Sequence, residues 1–306
     1  MEQLMKNFFL FLSKNKTLNT AAKKWGLRFG AKKVVAGATI ADAIYTVRKL
    51  NEKGLLCTVD HLGEFVYTLE EAEDSTSYCI QTLKAIHEAK VDCNLSLKLT
   101  QLGLDIDYDL CLKHMSMILD AAKTYGNNFV RIDMEDYAHN EMTLQLLREL
   151  MKDYDNVGTV IQAYLFKTQE DMDQLGEHNV NLRLVKGAYK ESPEVAYEDK
   201  KDVDENYKSI IKKHVLNGHY TAIASHDAQI IDFVKQLEQE HNLKRDQFEF
   251  QMLYGIRYQA QLKLVEEGYR MRVYVPYGDD WYAYFMRRLA ERPANVSFVI
   301  KGLFGK

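Results

Sequence analysis

The chain has 306 residues and a formal net charge of −4, and 46% of its residues are hydrophobic. This composition is typical of a globular protein with a large core, and a charge so near neutral gives no basic footprint for nucleic acid. Four cysteines without CxxC spacing predict buried thiols in the reducing cytoplasm. Nine histidines without ligand spacing give no support to a bound metal.

The first 50 residues predict an N-terminal helical arm. The apolar run from Phe8 to Leu12 is too short for a signal peptide or a membrane span. The arm is basic and amphipathic, with Lys14, Lys16, Lys23, Lys24, Arg28, Lys32 and Lys33. Two interpretations follow: a helix packed on the domain, or a peripheral contact with the inner face of the cell membrane.

Eight β-rich runs then alternate with helix-patterned segments. The predicted strands are residues 55–60, 94–99, 129–134, 157–164, 181–187, 221–226, 248–253 and 271–276. Eight βα units over residues 51–306 predict a single α/β domain of the (βα)₈ TIM-barrel type. A doubly wound sheet would more often use five or six strands.

Polar and apolar residues alternate within several of these strands. Apolar side chains should face the outer helices, so the polar set, which includes Arg131 and Arg183, should point toward the barrel axis. Charges in that position need partners or a ligand. Four polar residues fall at or near predicted C-terminal strand ends, where this fold builds its sites: Lys98, Asp133, Gln162 and His226.

The charges expected to converge at that end have a positive surplus. On a final helix, Tyr284, Arg287, Arg288 and Glu291 have the i, i+3, i+4, i+7 spacing of one face. Adjacent arginines can bind a carboxylate with paired N–H donors. Lys98, Arg183 and Lys186 would add positive charge and Asp133 negative charge, so the sequence predicts an anionic ligand.

The motifs leave other chemistries open. No GxGxxG or P-loop occurs, so a Rossmann or P-loop nucleotide site is unsupported. No nucleophile–base order stands out, although two barrel lysines would allow a Schiff-base aldolase that uses Lys98 or Lys186. A non-catalytic membrane-surface protein led by the basic arm is a further alternative.

Short strings along the barrel resemble one family. They are SLKLT (96–100), RIDME (131–135), IQAYL (161–165), RLVKGAY (183–189), FEFQML (248–253) and YVPYG…AYFMRRLAERPAN (274–295). Together they resemble proline dehydrogenase, the flavin enzyme of proline breakdown, over roughly residues 55 to 300. The chain looks like the monofunctional bacterial type, without an aldehyde dehydrogenase module.

The resemblance implies FAD at the C-terminal mouth of the barrel. L-proline would be oxidised to Δ1-pyrroline-5-carboxylate by hydride transfer to FAD N5, with electrons passed to a membrane quinone, as the first step of proline degradation to glutamate. Asp133 and Arg183 would be catalytic. The implied substrate contacts are Lys98, Tyr274, Tyr284, Arg287, Arg288 and Glu291. The implied FAD contacts are Met134, Gln162, Lys186, Gly187, Ala188, Ser225 and His226.

These roles need a particular placement of the last helix. In an ordinary barrel the eighth helix packs on the outside, away from the mouth. Arg287 and Arg288 could reach the substrate there only if their helix folds across the mouth. We therefore expect a displaced last helix.

Overall fold

A computed structural model of the chain describes residues 33–63, 66–176, 180–282, 284 and 286. Eight parallel strands form a closed barrel in chain order, because each strand pairs with the next and β8 pairs with β1. The strands are β1 Leu56–His61, β2 Cys93–Leu97, β3 Val130–Ile132, β4 Val157–Gln162, β5 Leu182–Val185, β6 Thr221–Ala224, β7 Phe248–Leu253 and β8 Met271–Tyr277. The predicted (βα)₈ barrel is confirmed.

The helices begin where short polar side chains cap them. Asp107, Asp136, Asp199 and Asp227 each accept a hydrogen bond from a backbone N–H in the first turn of the helix that follows. The described helices are α1 Ile40–Asn51, α2 Leu69–Ala89, α3 Tyr108–Thr124, α4 Tyr137–Leu150, α5 Thr168–Leu175, α6 Lys200–Leu216, α7 Ala228–His241 and α8 Tyr258–Glu266.

Five strands, β2 to β6, each end two residues earlier than the alternation predicts, and two of these early ends shape the mouth. We expected the second strand to reach residue 99, but β2 ends at Leu97 and a 3₁₀ helix, Leu99–Leu102, follows at once. Buried Glu135 accepts hydrogen bonds from Thr100 N and Thr100 Oγ1 at 3.2 and 2.8 Å, which hold this turn. The third strand likewise ends at Ile132. Lys98 and Asp133 are therefore the first residues beyond their strands, at the mouth.

Helix α1 precedes the barrel in sequence but forms part of its wall. Buried Ala43, Val47 and Leu50 belong to the same core as the strands, and α1 contacts β1, β8 and α2. It covers the seam between β8 and β1, the outer position that the eighth helix of a regular barrel would occupy. The division of the chain at residue 50 stays a prediction.

The segment after β8 turns helical at residues 281, 282, 284 and 286. Trp281 and Tyr284 are buried there. The remainder of the predicted last helix lies outside the described residues, so its path over the mouth stays a prediction. Residues 1–32 of the predicted arm also lie outside them. Within the described part, no helix combines the length and apolar character that crossing a bilayer requires.

Candidate active site

Asp133 is the centre of a hydrogen-bonded cluster at the mouth. Its Oδ1 accepts hydrogen bonds from Arg183 Nη1 at 2.5 Å and Ser96 Oγ at 2.8 Å, and its Oδ2 accepts one from the Tyr274 hydroxyl at 2.7 Å. The side chains of Asp133 and Arg183 are only 12% and 6% exposed. The Arg183 guanidinium also lies 5.2 Å from the centroid of the Tyr274 ring. Three strand ends thus fix one cation and one aromatic hydroxyl at the barrel axis.

Lys98 lies in the same cluster but has a different carboxylate partner. Lys98 Nζ lies 3.2 Å from Oδ2 of Asp60, which is 2% exposed near the end of β1. Burial raises the pKa of Asp60; the Lys98 ammonium opposes this rise, whereas the Asp133 carboxylate adds to it. We call Asp60, Lys98, Asp133, Arg183 and Tyr274 the upper layer.

A second polar layer fills the barrel nearer the N-terminal strand ends. Arg272 Nε lies 2.8 Å from Glu249 Oε1, and Arg272 Nη1 donates to the Cys57 carbonyl at 2.6 Å. Glu249 also accepts from the Tyr220 hydroxyl at 2.8 Å and from Gln251 Nε2 at 2.6 Å. We call Tyr220, Glu249 and Arg272 the lower layer. Gln251 joins the layers, because its Oε1 accepts from Arg183 Nε at 2.6 Å.

The lower layer keeps its charges ionised. Burial acts to raise the pKa of Glu249, but Arg272, Gln251 and Tyr220 outweigh it and lower the value to about 2.

Arg131, predicted to point inward, is buried and donates to the Thr159 carbonyl at 2.8 Å and to Asn181. Burial lowers the pKa of Arg131 to about 9, and Arg183 adds to the shift.

Lys186 belongs to a separate group beside the mouth. Its Nζ lies 2.5 Å from Asp204 Oδ1 on α6 and 2.8 Å from Asp227 Oδ2 at the start of α7. Next to it, Gly187 has φ +114°, and a Cβ there would overlap the ring of Tyr164. Only glycine fits this position without strain, so the backbone after β5 lies directly against the Tyr164 ring.

The other predicted cofactor residues line neighbouring strand ends. Gln162 is buried and donates from Nε2 to the Glu135 carbonyl at 3.0 Å, whereas its buried Oε1 accepts no hydrogen bond from the described residues. Ser225 Oγ accepts from the Asp227 N–H at 3.1 Å, and His226 Nε2 accepts from the Leu253 N–H at 3.0 Å. Met134 is buried and Ala188 is exposed.

Most of the predicted site residues are therefore brought to one end of the barrel, in two groups. One group is the upper layer, and the other surrounds Lys186 with Gly187, Ser225 and His226. Arg287, Arg288 and Glu291 lie outside the described residues, so their roles stay predictions. Among the described residues no group of histidine, cysteine, aspartate and glutamate is arranged to hold a metal ion.

Sequence reasoning missed five members of the polar interior. They are Asp60, Tyr220, Glu249, Gln251 and Arg272. The signal was present, because Glu249 and Gln251 alternate with Phe248, Phe250 and Met252, and Arg272 and Tyr274 alternate with Met271, Val273 and Val275. The same alternation that selected Lys98 and Arg183 applies to these strands.

A closed (βα)₈ barrel with ionised side chains at its C-terminal mouth defines an enzyme of the TIM-barrel class. Both candidate aldolase amines are paired with carboxylates, Lys98 with Asp60 and Lys186 with Asp204 and Asp227. A Schiff-base nucleophile must attack a carbonyl with a free amine, so either lysine would first have to leave its ion pair. The geometry therefore disfavours the aldolase alternative.

Comparison with known proteins gives the family. Residues 43–301 match the family model described as proline dehydrogenase. Proline dehydrogenase 2 of Bacillus subtilis (strain 168) is 54% identical over 303 residues, which cover 99% of this chain and 100% of that protein. The proline dehydrogenase of Deinococcus radiodurans is 43% identical over 286 residues, 92% of this chain and 91% of that protein.

A solved structure supports the same conclusion. Proline utilization A (PutA) from Bdellovibrio bacteriovorus, inactivated by N-propargylglycine, superposes with a TM-score of 0.80 at 27% identity. The match covers 90% of this chain but 34% of that longer one. The chain belongs to the proline dehydrogenase family and is an oxidoreductase of proline catabolism, as its barrel motifs predicted.

Proposed function

We propose that this enzyme binds FAD at the barrel mouth and oxidises L-proline to Δ1-pyrroline-5-carboxylate, with a membrane quinone as the final electron acceptor. The family is generally flavin-dependent. The observation that carries the proposal is the Asp133–Arg183–Tyr274 cluster, in which a buried cation is fixed at the axis of a proline dehydrogenase barrel. The reaction would be the first step of proline degradation to glutamate.

The residues present at the mouth fit FAD. Gln162 Oε1 is a buried polar atom without a partner among the described residues, as a contact reserved for a polar ring would be. The backbone at Gly187 is open to close approach because it carries no Cβ. Met134, Gln162, Lys186, Gly187, Ala188, Ser225 and His226 would hold the cofactor. Bound FAD supplies the hydride acceptor.

The residues of the chain would bind and orient the substrate. Lys98 together with Arg287 and Arg288 would bind the proline carboxylate, which fixes the ring relative to the acceptor. Tyr274 and Tyr284 would wall the ring, and Glu291 would pair with the cations. Asp133 would hold both Arg183 and Tyr274 in place, and the Arg183 charge would favour the electron-rich reduced flavin.

The surface around the mouth suits a lipophilic electron acceptor. Seven of the ten large apolar side chains that are exposed in the described part of the chain lie in or beside the loops after the strands. They are Tyr67, Leu69, Ile106, Tyr137, Phe166, Tyr189 and Tyr258. Tyrosine is favoured at membrane–water interfaces, where one end of the ring is apolar and the other wet. We propose that the mouth faces the membrane, with the basic arm as a second contact.

The test is the visible spectrum of the purified protein with and without L-proline. We expect a yellow protein that releases FAD on denaturation and is bleached by L-proline in the absence of oxygen. A colourless protein that does not respond to added FAD would contradict the proposal. For the membrane contact, a variant lacking residues 1–32 should keep dye-linked activity but sediment less with vesicles that contain anionic lipid.

A further inference from the structure

Asp60 differs from every other carboxylate of the two layers in its hydrogen bonding. Its Oδ2 pairs with Lys98, but its Oδ1 is buried and accepts no hydrogen bond from the described residues. The neighbouring Tyr274 hydroxyl lies close enough to act on the pKa of Asp60, but it has a single proton, which it donates to Asp133 Oδ2 at 2.7 Å. A buried acceptor without a donor is unfavourable, so this arrangement lowers stability unless a ligand supplies the donor.

The substrate brings such a donor. Proline in neutral solution carries an ammonium group, and its ring C–H can leave as hydride only after the nitrogen has lost a proton and regained its electron pair. The roles proposed above include no acceptor for that proton. Asp133 cannot readily serve, because three donors already occupy it, namely Arg183, Ser96 and Tyr274.

We propose that Asp60 accepts the ammonium proton of L-proline at Oδ1, an inference that rests on the proposed function. In this step an N–H bond of the substrate breaks, its electron pair stays on nitrogen, and an O–H bond forms on Asp60. Lys98 would link binding to proton transfer. When the proline carboxylate pairs with Lys98, it takes over part of the positive charge that keeps Asp60 ionised, and Asp60 becomes more basic.

The groups that face Asp60 favour this role. They are Lys98 beyond β2, Asp133 beyond β3, Tyr274 and Tyr277 on β8, and Cys79 on α2. Only Lys98 in this set is a cation. Burial and the Asp133 carboxylate raise the pKa of Asp60 and outweigh Lys98 and the Tyr274 hydroxyl, which lower it. A second anion near Lys98 would raise it further.

The first experiment compares two substrates in the Asp60→Asn variant, with FAD bound. The rate of flavin reduction by L-proline should fall about 100-fold, the usual contribution of a positioned base, and should rise with pH as solution supplies the unprotonated amine. With thiazolidine-4-carboxylate, whose ring sulfur makes the amine less basic, the rate of flavin reduction should fall far less. Equal losses for both substrates would overturn the proposal and leave Asp60 as a positioning residue for Lys98.

The matched control is Asp171→Asn. Asp171 is also 2% exposed and pairs with a lysine, Lys167, at 3.3 Å, but on α5. Removing this carboxylate should leave the ratio of the two substrates and the pH profile unchanged. A change in that ratio as large as that of Asp60→Asn would show that any buried lysine–aspartate pair has this effect, and would overturn the assignment.

A second readout uses the wild-type protein and needs no variant. Infrared difference spectra of the wild-type holoenzyme, with and without L-proline under anaerobic conditions, should show a new C=O band of a protonated carboxylic acid. Absence of that band overturns the proposal. If flavin is bleached by proline but the band is missing, only the role of Asp60 fails; if proline does not bleach the protein, the proposed function itself fails.

Discussion

The two polar layers inside the barrel use the same residue types but differ in how completely their hydrogen bonds are satisfied. In the lower layer, Glu249 accepts from Arg272, Gln251 and Tyr220, and Arg272 also reaches a backbone carbonyl. In the upper layer and beside it, Asp60 Oδ1 and Gln162 Oε1 accept nothing from the described residues. A buried ion pair is costly to break once it has formed, whereas unsatisfied polar atoms at a mouth indicate a ligand.

The difference between the two layers is tested most strongly by removing the cation of the lower layer. Arg272→Met leaves Glu249 as a buried carboxylate without its ion-pair partner, which should cost about 3–5 kcal/mol in the free energy of unfolding. Urea denaturation followed by circular dichroism measures the loss. The rate of flavin reduction per folded molecule should change little.

Arg245→Met is the matched control for that variant. Arg245 Nε lies 2.6 Å from Glu238, but its side chain is 45% exposed. The loss in free energy of unfolding should be much smaller than for Arg272→Met, because solvent screens an exposed ion pair. Similar losses for the two variants would show that the lower layer is no more structural than a surface ion pair.

Acid should weaken the lower layer next. The folded-state pKa of Glu249 is depressed to about 2 from its ordinary 4.5, so its contribution is present at neutral pH and is lost as pH falls from about 4.5 toward about 2. This contribution of ionised Glu249 to the free energy of unfolding is ~3 kcal/mol. The double variant Glu249→Gln/Arg272→Met should show a flatter dependence of unfolding free energy on pH over this window. An unchanged slope would contradict an ionised Glu249.

In the upper layer, the expected effect is on the reaction. Asp133→Asn removes the charge that holds Arg183 and Tyr274 while keeping the size of the side chain. Misplacing such groups by about 1 Å costs about 100-fold in rate, and anaerobic stopped-flow reduction by L-proline measures it. The loss of stability should be smaller than for Arg272→Met, because Arg183 keeps its hydrogen bond to Gln251 when the charge of Asp133 is removed. A normal rate would remove Asp133 from the site.

The smallest effect is expected at the loop after β5. Gly187→Ala places a methyl group against the Tyr164 ring at φ +114°, a strain of about 1–3 kcal/mol. FAD should be retained more weakly, by about tenfold, in equilibrium dialysis. Gly218→Ala is the control, since its φ is +83° but a Cβ there meets nothing within 4 Å; equal loss of FAD from both variants would contradict a cofactor contact at Gly187.

The sequence predicted the barrel well because strand alternation and strand count report on the whole fold. The eight strands fall where β-rich runs were expected, and Lys98, Asp133, Arg183 and Tyr274 meet at the mouth. Alternation also places Ser96 on the inward face, where it bonds to Asp133. The inward or outward direction of each side chain follows from alternation within one strand, so it can be predicted from the sequence of that strand alone.

Pairing between strands could not be read in this way. Which carboxylate reaches Lys98 depends on the register of β1 and β2, where Asp60 aligns with Ser96. The cover of the β8–β1 seam by α1 also depends on contacts between distant segments. Neither is encoded in the spacing of one strand, so the pairing of Asp60 with Lys98 and the position of α1 emerged only from the three-dimensional arrangement.

The central claim is that the unsatisfied upper layer is where substrate and cofactor bind. A crystal structure of the FAD-loaded protein with a non-oxidisable proline analogue tests it most directly. We predict ligand density over the upper layer, with the analogue carboxylate within hydrogen-bond distance of Lys98 Nζ, a ligand donor on Gln162 Oε1, and an unchanged lower layer. Density for the analogue elsewhere, with Lys98 still bonded only to protein, would contradict the claim.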